Sequence, residues 1–309
     1  MTSLVVLVSV LAAAGLALLA WMVLVEPRRF RTRRFVFDAG ELRLPALKIL
    51  HLSDTHFYGR DDAPLRFLKE LADRESFDFV FWTGDLIDRP AGVDSIAYAA
   101  RLFRPRFGAY AVLGGHDCWR HGILAAYLRL PSKTPDRGFD TPNPVGTLKL
   151  ALAAGGVRVL EDESCLVDGI GDQPLAIVGL QDAFMAEPDY NAAWSGVPAC
   201  APVVVLSHSP DVRAELAARG ARLAFCGHTH GGQVRFPLVG AVVTRSTLPG
   251  RLASGAFRTG PTTYVLGNGL SASPATPFRL LCPPEAVVVD MVTSPHPQSL
   301  TPITEADGV

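Results

Sequence analysis

The sequence predicts an α/β fold with a mixed sheet, on three observations. From Ala46 onward, apolar strand-like runs alternate with amphipathic helical stretches. Toward the C-terminal end, strands follow one another without intervening helices, which a purely parallel sheet does not allow. Every cluster of histidine and aspartate falls just after a predicted strand, where α/β folds gather their ligand sites.

Taken in order, the chain opens with Leu4 to Val25, which holds no charged residue. As a helix this run is roughly 33 Å long, enough to cross a bilayer core. Trp21 stands near its end, and Arg28, Arg29, Arg31, Arg33 and Arg34 follow it. A cleaved signal peptide would carry its positive charge before the apolar run, and a core helix would show a polar face. The expectation is a transmembrane anchor over 1–26 and a basic juxtamembrane linker over 27–45. The positive-inside rule then sets the rest of the chain on the cytoplasmic side of the inner membrane, as a single-pass protein. An exported enzyme is the rival topology.

ALKILHLSDTHF reads as a strand ending in a polar loop, and PLRFLKELADR as an amphipathic helix. FDFVFWTGDLIDR, helix SIAYAARLF and AYAVLGGHD repeat the pattern. Residues 131 to 146 are proline-rich and aperiodic; with the apolar stretch HGILAAYLRL they form a candidate lid. Helix TLKLALAAGG leads to strands around VRVLED, SCLVD and LAIVGLQD, then VVVLSHSPD, RLAFCGHTHGG, TTYVLGN and EAVVVDMV. One domain over 46–292 and a disordered tail over 293–309 complete the expected organisation.

Composition narrows the function. Among 309 residues, 19% are charged and the net charge is −1, so no basic face for nucleic acid is expected. Cys118, Cys165, Cys200, Cys226 and Cys282 are odd in number and dispersed, which fits reduced thiols better than a disulfide framework.

The chemistry lies in five loops. Asp54 and His56 stand in S-D-T-H, Asp85 in T-G-D-L, and His116 and Asp117 in G-G-H-D. His208 stands in L-S-H-S-P, and His228 and His230 in G-H-T-H-G-G. Residues two apart in extended chain point the same way, so each D-x-H or H-x-H pair can serve one site. Any one of these residues alone reads as a turn former or a solvated side chain; the ordered set does not. Carboxylate and imidazole donors without thiolate suit Mn, Fe, Zn or similar divalent ions. Two such ions bridged by a carboxylate serve displacement at phosphorus, holding a hydroxide as nucleophile while a free histidine protonates the leaving oxygen.

Over roughly residues 46 to 292, these motifs together with HTHGGQVRFPLVGA, SGAFR and FRLLCPPEAVVVD resemble the calcineurin-like metallophosphoesterases, in particular their bacterial membrane-associated branch of the YkuE/YaeI type. The resemblance implies a four-layer sandwich, two mixed sheets flanked by helices, and a centre of two divalent metals. It assigns Asp54, His56 and His230 to the first metal, Asp85 to the bridge, and His208 and His228 to the second. His116 would be the acid, oriented by Asp117. The expected activity is hydrolysis of a phosphodiester, phosphomonoester or pyrophosphate, with a lipid substrate suggested by the anchor.

One position departs from the pattern. Gly115 stands where the family's G-N-H-D places an asparagine that binds the second metal. The expectation is a weakened second site, with water or Asn268 filling the gap. The rival reading is a non-catalytic protein that keeps metal and phosphate binding on the same scaffold.

Overall fold

Successive residues of each central strand enter different cores, and this period of two stacks the layers. The computed structural model describes residues 2–120, 141–272, 276–293 and 303–304. An apolar helix α1 (Thr2–Ala20) precedes β1 (Arg31–Asp38), β2 (Leu47–Leu52), α2 (Asp62–Arg74) and β3 (Phe79–Thr83). Then come α3 (Gly92–Leu102), β4 (Gly108–Val112), α4 (Val145–Ala154) and β5 (Val157–Val159). The second sheet uses β6 (Glu163–Val167), β7 (Leu175–Gly179), β8 (Val203–Ser207), β9 (Leu223–Cys226), β10 (Gly255–Thr259) and β11 (Thr262–Leu266), with α5 (Arg213–Ala218) between β8 and β9. Finally β12 (Glu285–Val292) crosses back to the first sheet.

The first sheet runs β1-β12-β2-β3-β4-β5 and the second β10-β11-β9-β8-β7-β6, with Ile303–Thr304 added beside β10. Both are mixed: β12 is antiparallel to β2, β6 to β7, and β10 to β11. Phe79 and Phe81 of β3 face the core between the sheets with Val204, Leu206 and Phe225. Val80 and Trp82, on the opposite face of β3, meet Leu68 and Leu71 of α2 and Leu148 and Leu152 of α4. Beyond the second sheet, Val205, Ala224 and Tyr264 pack with Leu216 of α5. The result is the expected helix, sheet, sheet, helix order. Leu68 and Leu71 show the energetics: three apart, they share one face, and burying each contributes about 1.5–3 kcal/mol.

The segment 27–45, expected to be a basic linker, is different in the structure. Its Arg31–Asp38 stretch is an edge strand paired in parallel with β12 along its full length. Phe35 and Phe37 supply the apolar alternation and enter the inter-sheet core. Three of the arginines turn to acids of the domain: Arg31 lies 2.7 Å and Arg33 3.6 Å from Glu285, and Arg34 pairs with Glu75 and Asp290. The arginines obscured the strand in sequence, because the acids that receive two of them lie some 250 residues away.

The apolar helix is also fixed to the domain. It continues through a wide turn, Trp21–Val25, and a tight one, Glu26–Arg28. The Met22 carbonyl accepts from Arg279 N (2.9 Å), and buried Glu26 accepts from Cys282 N (3.1 Å) and Trp21 Nε1 (2.9 Å). By length and composition, Ser3–Arg28 is able to cross a membrane. Most of the candidate lid lies outside the described residues, as does most of the expected tail. The ends of the lid segment are held together, Trp119–Arg120 pairing with Thr141–Pro142. The five cysteines are free thiols.

Candidate metal centre

The loops after β2, β3, β4, β8 and β9 meet at one edge of the sandwich and are tied to each other by backbone bonds. Asp54 N donates to Gly84 O (3.0 Å), His56 N to Asp85 O (2.9 Å) and Gly227 N to His208 O (3.0 Å). Asp54, His56, Asp85, His228 and His230 all adopt left-handed backbone, with φ of 49°, 41°, 52°, 69° and 49°. Non-glycine residues rarely take this conformation, and it costs of the order of 1 kcal/mol or more at each position. Five strained residues gathered at one point mark a site that the packing of the fold enforces. Gly227 is required for space: a Cβ there would lie 2.6 Å from Asp54 Oδ2.

Asp54, His56, Asp85 and His230 each present one donor atom, and the four atoms lie within 4.8 Å of one another. His56 and His230 face each other Nε2 to Nε2 at 3.1 Å. Two such nitrogens can share at most one proton, whereas a cation bonded to both satisfies each lone pair. Asp54 Oδ2 is buried without a hydrogen-bond partner. Burial pushes the Asp54 carboxyl up and the His230 imidazole down from their ordinary ranges. The oxygen and nitrogen donors, the orphaned oxygen and the facing imidazoles all fit a divalent metal.

On the other side of Asp85, His208 Nε2 lies 3.3 Å from Asp85 Oδ2, and its Nδ1 lies 2.8 Å from the Thr83 carbonyl, which fixes the ring. Burial disfavours charge on His208, but the carboxylates of Asp85 and Asp182 outweigh it and raise its pKa well above the ordinary value. The His228 ring is 5.2 Å from that of His208, yet its Nε2 points to the Arg245 carbonyl at 3.0 Å. The structure thus brings His208 to Asp85 and places His228 beside them with one nitrogen engaged elsewhere. Asn268 does not approach Gly115: its Nδ2 donates to Pro283 O and its Oδ1 lies over Gly231.

His116 stands at the rim, its side chain 22% exposed. Its orienting partner is not Asp117. The Asp117 carboxylate is taken by three backbone amides, of Leu86 (2.7 Å), Ile87 (3.0 Å) and Gly114 (2.9 Å), and so clamps the loop after β4 to the loop after β3. The residue on His116 is Asp88, whose Oδ1 lies 3.1 Å from Nδ1. Burial opposes charge on His116, but Asp85 and Asp88 overcome it and raise its pKa. In turn, the imidazoles of His116 and His56 outweigh the burial of Asp88 and hold its carboxyl well below the usual range. Asp88 is three residues past Asp85 in G-D-L-I-D, and its pairing across loops leaves no spacing signal beyond that short interval. His51, outside the site, is a buried strand residue with Nε2 2.8 Å from Thr83 Oγ1, and burial pushes its pKa down to about 3.

Comparison with known proteins agrees with this geometry. Residues 47–232 match the family model for calcineurin-like phosphoesterases. The chain is 27% identical to the uncharacterised metallophosphoesterase YkuE of Bacillus subtilis (strain 168), over 78% of this chain and 77% of that one. It is 27% identical to the UDP-2,3-diacylglucosamine pyrophosphatase LpxG of Chlamydia trachomatis, over 75% and 78%. It is 33% identical to the phosphodiesterase YaeI of Escherichia coli (strain K12), over 31% and 36%. The family model covers more than half of the chain, which therefore belongs to the calcineurin-like metallophosphoesterases, a family of metal-dependent phosphohydrolases.

Proposed function

We propose that this enzyme cleaves a phosphodiester or pyrophosphate bond of a lipid-linked substrate at a membrane surface, using two divalent ions. The observation that carries the reading is the four-donor cluster of Asp54, His56, Asp85 and His230 with His116 beside it, held by Asp88. Asp54, His56 and His230 would hold the first ion, Asp85 would serve both, and His208 and His228 would hold the second. Bound there, the ions neutralise phosphate charge and activate water. With Nδ1 on Asp88 Oδ1, His116 is oriented toward the site, its Nε2 is the atom assigned to protonate the leaving oxygen, and the raised pKa keeps the proton available for transfer.

Two features support the membrane placement. The last turn of the apolar helix is hydrogen-bonded to the segment Arg279–Cys282, and Cys282 Sγ in turn contacts the carbonyl of His230 at 3.3 Å. The hairpin pairing Arg235–Phe236 with Gly240–Ala241 starts from the same segment, through Arg235 N to Leu280 O (3.0 Å). It and the residues after it expose Phe236, Leu238, Val239, Val242 and Val243, close to exposed Leu281. An apolar patch of this kind beside an anchor suits a lipid surface. The LpxG name, a pyrophosphatase acting on a diacylated sugar nucleotide, points to the same substrate class.

The test is hydrolysis of bis-p-nitrophenyl phosphate by the full chain in detergent, titrated with manganese, beside His116→Ala. Manganese-dependent turnover that His116→Ala loses is the expected result. Metal binding with no turnover on this ester or on a lipid pyrophosphate would make the chain a binding protein. A reporter fused to the C-terminus reads the topology, with the cytoplasmic side expected.

A further inference from the structure

Gly115 leaves the second half of the centre without a side chain from the loop after β4, and the space above it is not filled at random. A Cβ built on Gly115 would lie 3.7 Å from Asp182 Oδ2 and 3.3 Å from Met185 Sδ. Asp182 follows β7, the strand next to β8, so its loop comes from the second sheet and meets the loop after β4 at Gly115. It is only 5% exposed. Its Oδ1 accepts from Phe184 N (3.1 Å), which fixes the carboxylate, and among the described residues no hydrogen bond or ion pair ends on Oδ2. The same turn carries Phe184, whose ring is 5.5 Å from His228. Among the charges acting on His208, that of Asp182 is second only to Asp85.

We infer that Asp182 is a ligand of the second metal, its carboxylate taking the place that the side chain of residue 115 would otherwise fill. The inference rests on the reading of the centre as two-metal. A carboxylate oxygen that no group among the described residues engages, beside the position of residue 115 and acting on His208, is a donor suited to a divalent ion. Residue 115 and residue 182 then form one compensating pair. A Cβ at 115 would only touch Asp182 Oδ2, at 3.7 Å, so it is the longer part of an asparagine side chain that would compete with the carboxylate for this space. The second site carries two anionic oxygens where an asparagine would have given one anionic and one neutral.

The experiment is a double-mutant cycle on the full chain in detergent: wild type, Asp182→Ala, Gly115→Asn, and both together. Each protein is equilibrated with manganese alone, and bound ions are counted by elemental analysis while the two dissociation constants are read by calorimetry. Wild type should hold two ions. Asp182→Ala should keep the first with unchanged affinity and bind the second more weakly, by about 10- to 100-fold or more. The double variant should recover much of that loss, because asparagine at 115 restores an oxygen donor. Retention of the first ion is itself the sign that the variant is folded, and Asp182→Asn provides a nearly isosteric check. Two ions bound by Asp182→Ala with affinities within about two-fold of wild type would overturn the inference. A wild type that holds only one ion would instead overturn the two-metal reading, and one that holds none would overturn the metal centre as a whole.

Discussion

On the side of β2, Asp54, His56, Asp85 and His230 bring four donor atoms within 4.8 Å of one another, with Asp54 Oδ2 still unpartnered. On the side of β8, His208 reaches Asp85 at 3.3 Å, but His228 spends its Nε2 on the Arg245 carbonyl, and the loop after β4 contributes a glycine. The first half is therefore preorganised by strained loops around a closed donor set. In the proposed two-metal arrangement the second half would share Asp85 with the first and would draw on His208 and His228, which form no closed donor set among the described residues. The lesson is that two halves of one centre can differ in rigidity while using the same strands, because rigidity comes from how many loops converge on each donor.

Several substitutions would break or sharpen this contrast. The largest effect is expected from Asp85→Asn, since Asp85 serves both halves; bound metal should fall at both sites and turnover should drop below detection in a manganese-supplemented assay. Next comes His116→Ala, with turnover on the nitrophenyl diester down by about 100- to 10,000-fold while metal content stays unchanged. A parallel loss of metal would show that His116 is a ligand rather than a proton donor.

Asp88→Asn should cost about 10- to 100-fold, the range for removing a partner that orients a reacting histidine. Its diagnostic is the pH profile. Asp85 and Asp88 raise the pKa of His116, and a reaction needing the protonated imidazole fails as pH rises through that pKa. Without the Asp88 charge the pKa falls, so the alkaline limb should move to lower pH; an unmoved limb would remove Asp88 from this role. The smallest effect belongs to the hairpin. Leu238→Asp should leave hydrolysis of the soluble ester within about two-fold while reducing activity on a pyrophosphate embedded in phosphatidylglycerol vesicles. Equal activity on both would detach the hairpin from the membrane.

Much of the centre was legible because its residues stand at strand ends in short motifs whose spacing survives folding. Asp54 with His56 and His228 with His230 are pairs of this kind; Asp54, His56 and His230 come together with Asp85, whereas His228 lies near His208 and turns its Nε2 to the Arg245 carbonyl. The resemblance assigned Asp117 to orient His116, whereas its carboxylate turns back to the amides of Leu86, Ile87 and Gly114, a contact no spacing in the sequence announces. β1 was hidden because three arginines fill the first half of its eight residues, and a parallel edge strand needs a partner that only the fold supplies. Asp182 lies after a predicted strand like the other site residues, yet a single aspartate in G-L-Q-D has no second residue to mark it.

By itself, the sequence determined the layer order, through the period-two alternation of the central strands, and the nearness of Asp54 and His56, two residues apart in one motif, within the candidate metal cluster. Tertiary structure decided everything that joins distant loops: Asp88 under His116, Asp182 over Gly115, Glu285 between Arg31 and Arg33, and the foot of the apolar helix on Arg279–Cys282. The physical reason is the same in each case. A local motif fixes direction and spacing along the chain, but a carboxylate acquires its partner from whatever the packed sheets bring within about 4 Å.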